Sequence, residues 1–242
     1  MIQQKDFAEL EKIIGVSFKD KELLKTVFTH RSYLNEHRKS GLQSNEKLEF
    51  LGDSVLSLVT TQYLYHEYEE LDEGIYTDIK SSIVRTERLA EAAESIQLGL
   101  FLLLSHGEET HGGRSNMNLL ADSFEALIGA LFIDQGYPTA RTFIHDHLFK
   151  NRLKKIVDEK LYLSPKSKLQ EIVQSSSRKL PDYQTLKVEG PEHKKMFTVS
   201  VLIDKVSYGE GTGFSKKEAE EIAAKKALEK IKSELYTIRN QS

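Results

Sequence analysis

Five acidic residues of this 242-residue chain are spaced to do chemistry. Glu46, Glu49 and Asp53 stand at i, i+3 and i+7 in the run NEKLEFLGDSVL (45–56), so they share one helix face. Continuing that face brings up Leu56, and the acids therefore lead straight into an apolar stripe. Gly52 lies in the same run at a cost of about 1 kcal/mol relative to Ala in a helix interior, which points to close approach by another element. The run LLADSFEALIGA (119–130) repeats the arrangement, with Asp122 and Glu125 at i, i+3 and Gly129 one turn later. Two readings are open. An acidic triplet is most often a solvated helix face. In the other reading the two helices pack through their glycines and the carboxylates converge in a cleft, where burial demands compensation that nearby Lys and Arg do not supply. The cleft is favoured, because turning Asp122 and Glu125 to solvent would expose Phe124 or Leu127. An all-oxygen donor set suits a hard divalent cation, Mg²⁺ or Mn²⁺, and such ions activate water and stabilise charge on a phosphodiester.

A second group of residues is suited to a polyanion. Lys216 and Lys217 open a helix, where their charge opposes the helix dipole unless an anion binds. Free backbone N–H groups at a helix start add to such a phosphate-binding corner. Ser215 and Glu218 have the capping-box spacing for that helix. Gln170, Glu171 and Gln174 on an earlier helix offer hydrogen-bonding groups for 2′-hydroxyls. His193, after Gly190-Pro191-Glu192, falls at the tip of a strand-to-strand loop that can enter a minor groove. Three such elements are what reading an A-form duplex by shape requires. Lys225, Lys226 and Lys230 read equally well as a solvated helix face.

The elements that must position these residues divide the chain. Apolar residues recur at helical spacing over 7–14, 23–28, 48–64, 79–96, 119–132 and 140–156, with Pro138 after Gly136-Tyr137 as a stop between two helices. The stretch 105–118 reads as a polar loop. After a short junction at 158–163 the order changes. Ser164-Pro165 opens a helix to about Gln174, strands follow near 183–189, 197–203 and 206–211, and a helix runs over 216–234. The expected architecture is a mainly α domain over 1–158 and an α+β domain, α-β-β-β-α, over 159–242 with its core at 164–232. Charge follows the same division. Residues 160–242 hold 16 Lys and Arg against 11 Asp and Glu, leaving 18 against 26 in 1–159, although the whole chain carries only −3.

Other function classes drop out. The chain has no Cys, which removes disulfide scaffolds, thiolate zinc sites and cysteine nucleophiles. Its longest apolar run, 98–104, is too short to span a bilayer, and the charged N-terminus is unlike a secretion signal. A cytoplasmic protein without a membrane partner is expected. No P-loop, dinucleotide fingerprint or Gly-x-Ser-x-Gly elbow is present. The eight His are scattered, and His106, His111, His145 and His147 read as surface residues rather than ligands.

The two acidic runs resemble bacterial ribonuclease III, whose signature usually carries Arg where this chain has Lys47. Thr29-His30-Arg31-Ser32-Tyr33, Asp72-Glu73-Gly74 and Gly112-Gly113-Arg114 match as well. Residues 164–232, with GPEH at 190–193 and GxGxSKKxAE at 211–220, resemble a double-stranded-RNA-binding domain. The resemblance covers nearly the whole chain, in the family's domain order. It implies Glu49, Asp122 and Glu125 as metal ligands, Asp53 and Glu125 as essential catalytic acids, and Glu46 and Glu73 as further cleft carboxylates. It also implies a homodimer in which each protomer cuts one strand of double-stranded RNA. The products would carry 5′-phosphate and 3′-hydroxyl ends with two-nucleotide 3′ overhangs, and the substrates would be ribosomal RNA precursors and structured mRNAs. The chain departs from the family at Asp78, an extra acid beside the cleft, and at Glu221, where Gln is common. A non-catalytic duplex-binding protein and a phosphohydrolase acting on small nucleotides are the rival readings; the first would fit a cleft missing a carboxylate, and the second leaves the C-terminal domain without a purpose.

Overall fold

The computed structural model of the chain describes residues 6–150, 152–176 and 179–239, apart from the side chains of His193 and of residues 234–239. It divides into two compact units between Tyr162 and Leu163. No helix among the described residues is long and apolar enough to cross a membrane.

The first unit is built of helices: α1 (Phe7–Ile14), α2 (Lys21–Val27), α3 (Arg31–Glu36), α4 (Glu46–Glu67), α5 (Glu73–Ile83), α6 (Thr86–Ser95), α7 (His106–Thr110), α8 (Met117–Gln135), α9 (Tyr137–Ile144) and α10 (Leu153–Asp158). At the centre α8 is buried on nearly all sides, with Phe124, Leu127, Ile128 and Leu131 inaccessible to solvent. The long α4 lies against it through Leu48, Gly52, Val55, Leu56 and Val59. Glycines allow this approach. A Cβ at Gly52 would stand 1.8 Å from the carbonyl oxygen of Glu125, and one at Gly129 would stand 2.2 Å from that of Leu48. The two backbones therefore touch directly at the level of the acidic residues.

Three segments differ from the periodicity. The stretch 79–96 is two helices, because Arg85 is extended (φ −70°, ψ 149°) and redirects the chain while the apolar spacing carries on across the break. The stretch 140–156 is likewise interrupted, by a π-turn at His145–Phe149 in which the Lys150 N–H donates to the His145 carbonyl five residues back, at 2.8 Å. The polar stretch 105–118 holds α7, capped by the Ser105 hydroxyl, and a single 3₁₀ turn at Gly113–Ser115. Gly136 ends α8 (φ 84°) and Pro138 sits in the first turn of α9. His147 is half-buried against Phe143, ring centroids 4.7 Å apart, rather than on the surface; burial lowers its pKa.

The second unit runs α11 (Pro165–Ser175), β1 (Asp182–Glu189), β2 (Met196–Ile203), β3 (Val206–Gly213) and α12 (Lys216–Arg239). The strands form one antiparallel sheet in the order β1-β2-β3, with a bulge between Thr185 and Lys187. Alternate residues Val201 and Ile203 face Leu169 and Val173 of α11 and Ala223, Ala224 and Ala227 of α12, forming a core separate from that of the first unit. This is the α-β-β-β-α order expected from the sequence, with both helices on one sheet face.

Candidate metal centre and duplex-binding face

The first site forms where α4 and α8 touch. The start of α4 is anchored by the Asn45 N–H, which donates to the Thr29 carbonyl at 3.0 Å. The start of α8 is capped by the Asn116 side chain, which accepts from the N–H groups of Asn118 and Leu119. Arg114, just before that cap, donates to the carbonyls of Gly99, Leu100 and Leu102 at 3.0, 3.3 and 3.0 Å and to Glu109 at 2.8 Å. It thereby ties the turn over residues 98–102 to the entry of α8.

With both helices fixed, Glu49, Asp122 and Glu125 each offer a carboxylate oxygen, all within 4.8 Å of one another. All three are half-buried. Asp53, the next acid along α4, is exposed at the edge of this group, and its charge acts on both Glu49 and Glu125. Among the described residues none of these four carboxylates has an ion-pair partner. The electrostatic consequence is large. Burial, followed by the charges of Asp53, Glu49 and Asp122, pushes Glu125 up to about 8. Burial and then Asp122, Glu46 and Asp53 raise Glu49, and burial raises Asp122, against which only the charge of His30 acts. Three convergent, half-buried oxygen donors that repel one another and lack a protein cation are a donor set suited to a hard divalent ion.

Glu46 and Glu73 lie outside this group. Glu46 is exposed; it accepts from the Ser44 hydroxyl at 2.8 Å and stands 3.7 Å from Arg31. Glu73 is the exposed first residue of α5, and Asp78 is exposed on the same helix. His30 is a neighbour that residue spacing did not single out: it is the N-cap of α3 and stands within electrostatic reach of Asp122. Only its place in the Thr29–Tyr33 match pointed to it.

In the second unit, Gln170, Glu171 and Gln174 are exposed on α11, within one turn of each other. Ser215 accepts from the Glu218 N–H at 3.1 Å, while Glu218 reaches back to the N–H of Phe214 at 2.7 Å, a capping box displaced by one residue. Lys216 and Lys217 are exposed, Lys216 standing 4.0 Å from Glu220. His193 belongs to a one-turn helix, Glu192–Lys194, and its side chain lies outside the described residues. Lys230 is tied to the sheet, lying 4.7 Å over the Tyr208 ring and donating to the Ser207 carbonyl at 3.2 Å. Glu221 joins the two helices of this unit, since it accepts from the Lys166 N–H at the start of α11, at 3.1 Å.

Comparison with known proteins agrees with both halves. Residues 20–152 match the family described as Ribonuclease-III-like, and 165–231 match the double-stranded RNA binding motif. Ribonuclease 3 of Oceanobacillus iheyensis is 43% identical over 93% of this chain and 98% of its own length. Ribonuclease 3 of Chloroflexus aurantiacus is 45% identical over 91% of this chain and 90% of its own. Among solved structures, the nuclease domain of ribonuclease III from Campylobacter jejuni superposes with a TM-score of 0.56 at 37% identity, covering 61% of this chain and 99% of that one. A helical unit bearing convergent carboxylates, followed by a small α+β unit with the duplex-binding order of elements, thus places the chain in the ribonuclease III family of endoribonucleases.

Proposed function

We propose that the chain hydrolyses double-stranded RNA endonucleolytically with Mg²⁺, for which Mn²⁺ can substitute. The products carry 5′-phosphate and 3′-hydroxyl ends with two-nucleotide 3′ overhangs. The observation that carries this reading is the uncompensated group of Glu49, Asp122 and Glu125 at the α4–α8 contact. These three hold the cation, which when bound supplies Lewis acidity toward water and the scissile phosphate. Asp53, at the solvent edge of the group, and Glu125, whose raised pKa of about 8 keeps it protonated near neutral pH, handle protons. Glu46 and Glu73 are further acids of the cleft.

Residues 1–158 cut and dimerise, and residues 159–242 bind the duplex through Gln170, Glu171, Gln174, His193, Ser215, Lys216 and Lys217. Homodimerisation is supported by the outward face of α4, where Phe50, Leu58 and Tyr65 recur at helical spacing with exposures of 78, 58 and 66%. The Campylobacter jejuni structure is described in terms of a region involved in dimer formation. Ribosomal RNA precursors and structured mRNAs in the cytoplasm are the substrates. The test is cleavage of a long end-labelled duplex with Mg²⁺, with excess EDTA, and beside single-stranded RNA. Mg²⁺-dependent cutting of the duplex alone, with two-nucleotide overhangs, is expected. Binding without cutting in either metal would overturn the reading.

A further inference from the structure

In the second unit one carboxylate joins the two helices that carry the duplex-binding residues proposed above. Lys166 is the second residue of α11, and Gln170 and Gln174 follow it at i+4 and i+8, so the three share a helix face. The Lys166 ammonium donates to Oε2 of Glu220 on α12 and lies 4.7 Å over the ring of Tyr183 on β1. The other oxygen of Glu220 stands 4.0 Å from the ammonium of Lys216, one turn earlier on α12. The backbone is fastened at the same place, because Glu221 accepts from the Lys166 N–H at 3.1 Å. Two consecutive acids of α12 thus hold one residue of α11 by its side chain and its main chain.

A solvated Lys–Glu pair at i, i+4 holds little by itself, and with Lys on the N-terminal side its orientation is the less favourable one. Glu220 is not such an acid. Its side chain is only 14% exposed, and Lys166 fixes it from the α11 side. It is therefore a firm anchor for Lys216, an exposed side chain at the first position of α12, where the helix dipole disfavours a cation. Lys217 beside it has no ion-pair partner among the described residues.

We propose that Glu220 is a positioning residue for duplex binding: tied to α11 through Lys166, its carboxylate holds Lys216 in place for a phosphate. This rests on the duplex-binding reading above, and it fixes the sign of an effect. An acid beside a polyanion site repels the polyanion, so if charge were all that mattered, removing Glu220 would tighten binding. If Glu220 positions Lys216, removing it weakens binding although the face becomes more positive. The test is duplex affinity of the whole protein in EDTA over a range of salt, with Glu220→Gln made in the parent, in Lys216→Ala and in Lys217→Ala. Melting temperatures establish that each variant is folded at the assay temperature. Glu220→Gln is expected to weaken binding about 3–10-fold in the parent, in the lower part of the range that residues of one ion-pair network exchange. It should also lower the logarithmic salt slope by up to about 1. The loss should recur in Lys217→Ala and largely vanish in Lys216→Ala. Tighter or unchanged binding by Glu220→Gln, or an equal loss in all three backgrounds, which is the mark of a merely structural role, overturns the proposal. Parental affinity and salt slope in Lys216→Ala alone would instead overturn the duplex-binding reading of Lys216, and this proposal with it.

Discussion

Substituting Ala for Gly52 tests whether backbone contact between α4 and α8 sets the spacing of the carboxylates. The added methyl would stand 1.8 Å from the Glu125 carbonyl oxygen and 2.6 Å from its carbon, where ordinary contact begins near 3.4 Å. Neither neighbour can rotate aside, since both are backbone. The helices must part by more than about 1 Å, because overpacking of this kind is relieved only by backbone shifts. Two terms oppose each other in stability. Ala gains about 1 kcal/mol over Gly as a helix former, and forced separation of a packed interface costs about 1–3 kcal/mol. The upper part of that range applies to a backbone contact, which leaves a net loss of about 1–2 kcal/mol and a melting temperature lower by about 3–6 °C. Function is more sensitive. The shift moves Glu49 and Asp53 away from Asp122 and Glu125, and a displacement of about 1 Å can cost on the order of 100-fold in rate. The assay is single-turnover cleavage of an end-labelled duplex in Mg²⁺, with duplex affinity measured in EDTA as a control. A loss of about 100-fold in cleavage with unchanged duplex affinity is expected. Cleavage within about threefold of the parent despite the lower melting temperature would refute the reasoning.

Further outcomes follow from the same geometry. Folded Glu125 keeps a proton to about pH 8 that the unfolded chain gives up near 4.5, so the metal-free protein should lose stability as pH rises through that interval. After discounting for solvent screening of a half-buried group the loss is about 2 kcal/mol. Melting in EDTA should therefore show a slope with pH that Glu125→Gln flattens; parallel curves would count against the raised pKa. The same variant should lose cleavage and keep metal-independent duplex binding, and parental cleavage rates would remove Glu125 from the site. Lys216→Ala with Lys217→Ala should weaken duplex binding and reduce its logarithmic salt slope by up to about 2, and an unchanged slope would place the phosphates elsewhere. Phe50→Glu should convert a dimer to a monomer in sedimentation velocity, and an unchanged mass would show that α4 is not the interface.

Much of this arrangement was legible in the residues. Acids at i, i+3 inside a helix too apolar to turn outward, each followed or preceded by a glycine, point to a buried contact, and α4 and α8 meet through Gly52 and Gly129. What spacing did not reveal was mostly long-range. The break at Val84–Arg85 leaves no mark in the periodicity, because Ile83 and Leu89 are both core residues, of different helices. Ser32 accepts from the N–H of Ser105, 73 positions further on, a contact no spacing rule anticipates. Glu221 reads as an unfavourable charge until its carboxylate is found on the N–H of Lys166, 55 residues earlier.

The direct contact of α4 with α8 also bears on which ion the site can discriminate. Where side chains separate two helices, rotamer changes let the gap breathe; here carbonyl oxygens and amide nitrogens form the spacer, and they have no rotamers. A cation held by Glu49, Asp122 and Glu125, as proposed above, would meet ligands rooted in a nearly incompressible frame. Mg²⁺ takes its oxygens at about 2.0–2.1 Å and Ca²⁺ at about 2.3–2.6 Å, so in such a frame ionic radius would decide which of these two equally charged ions the three carboxylates could hold without parting the helices.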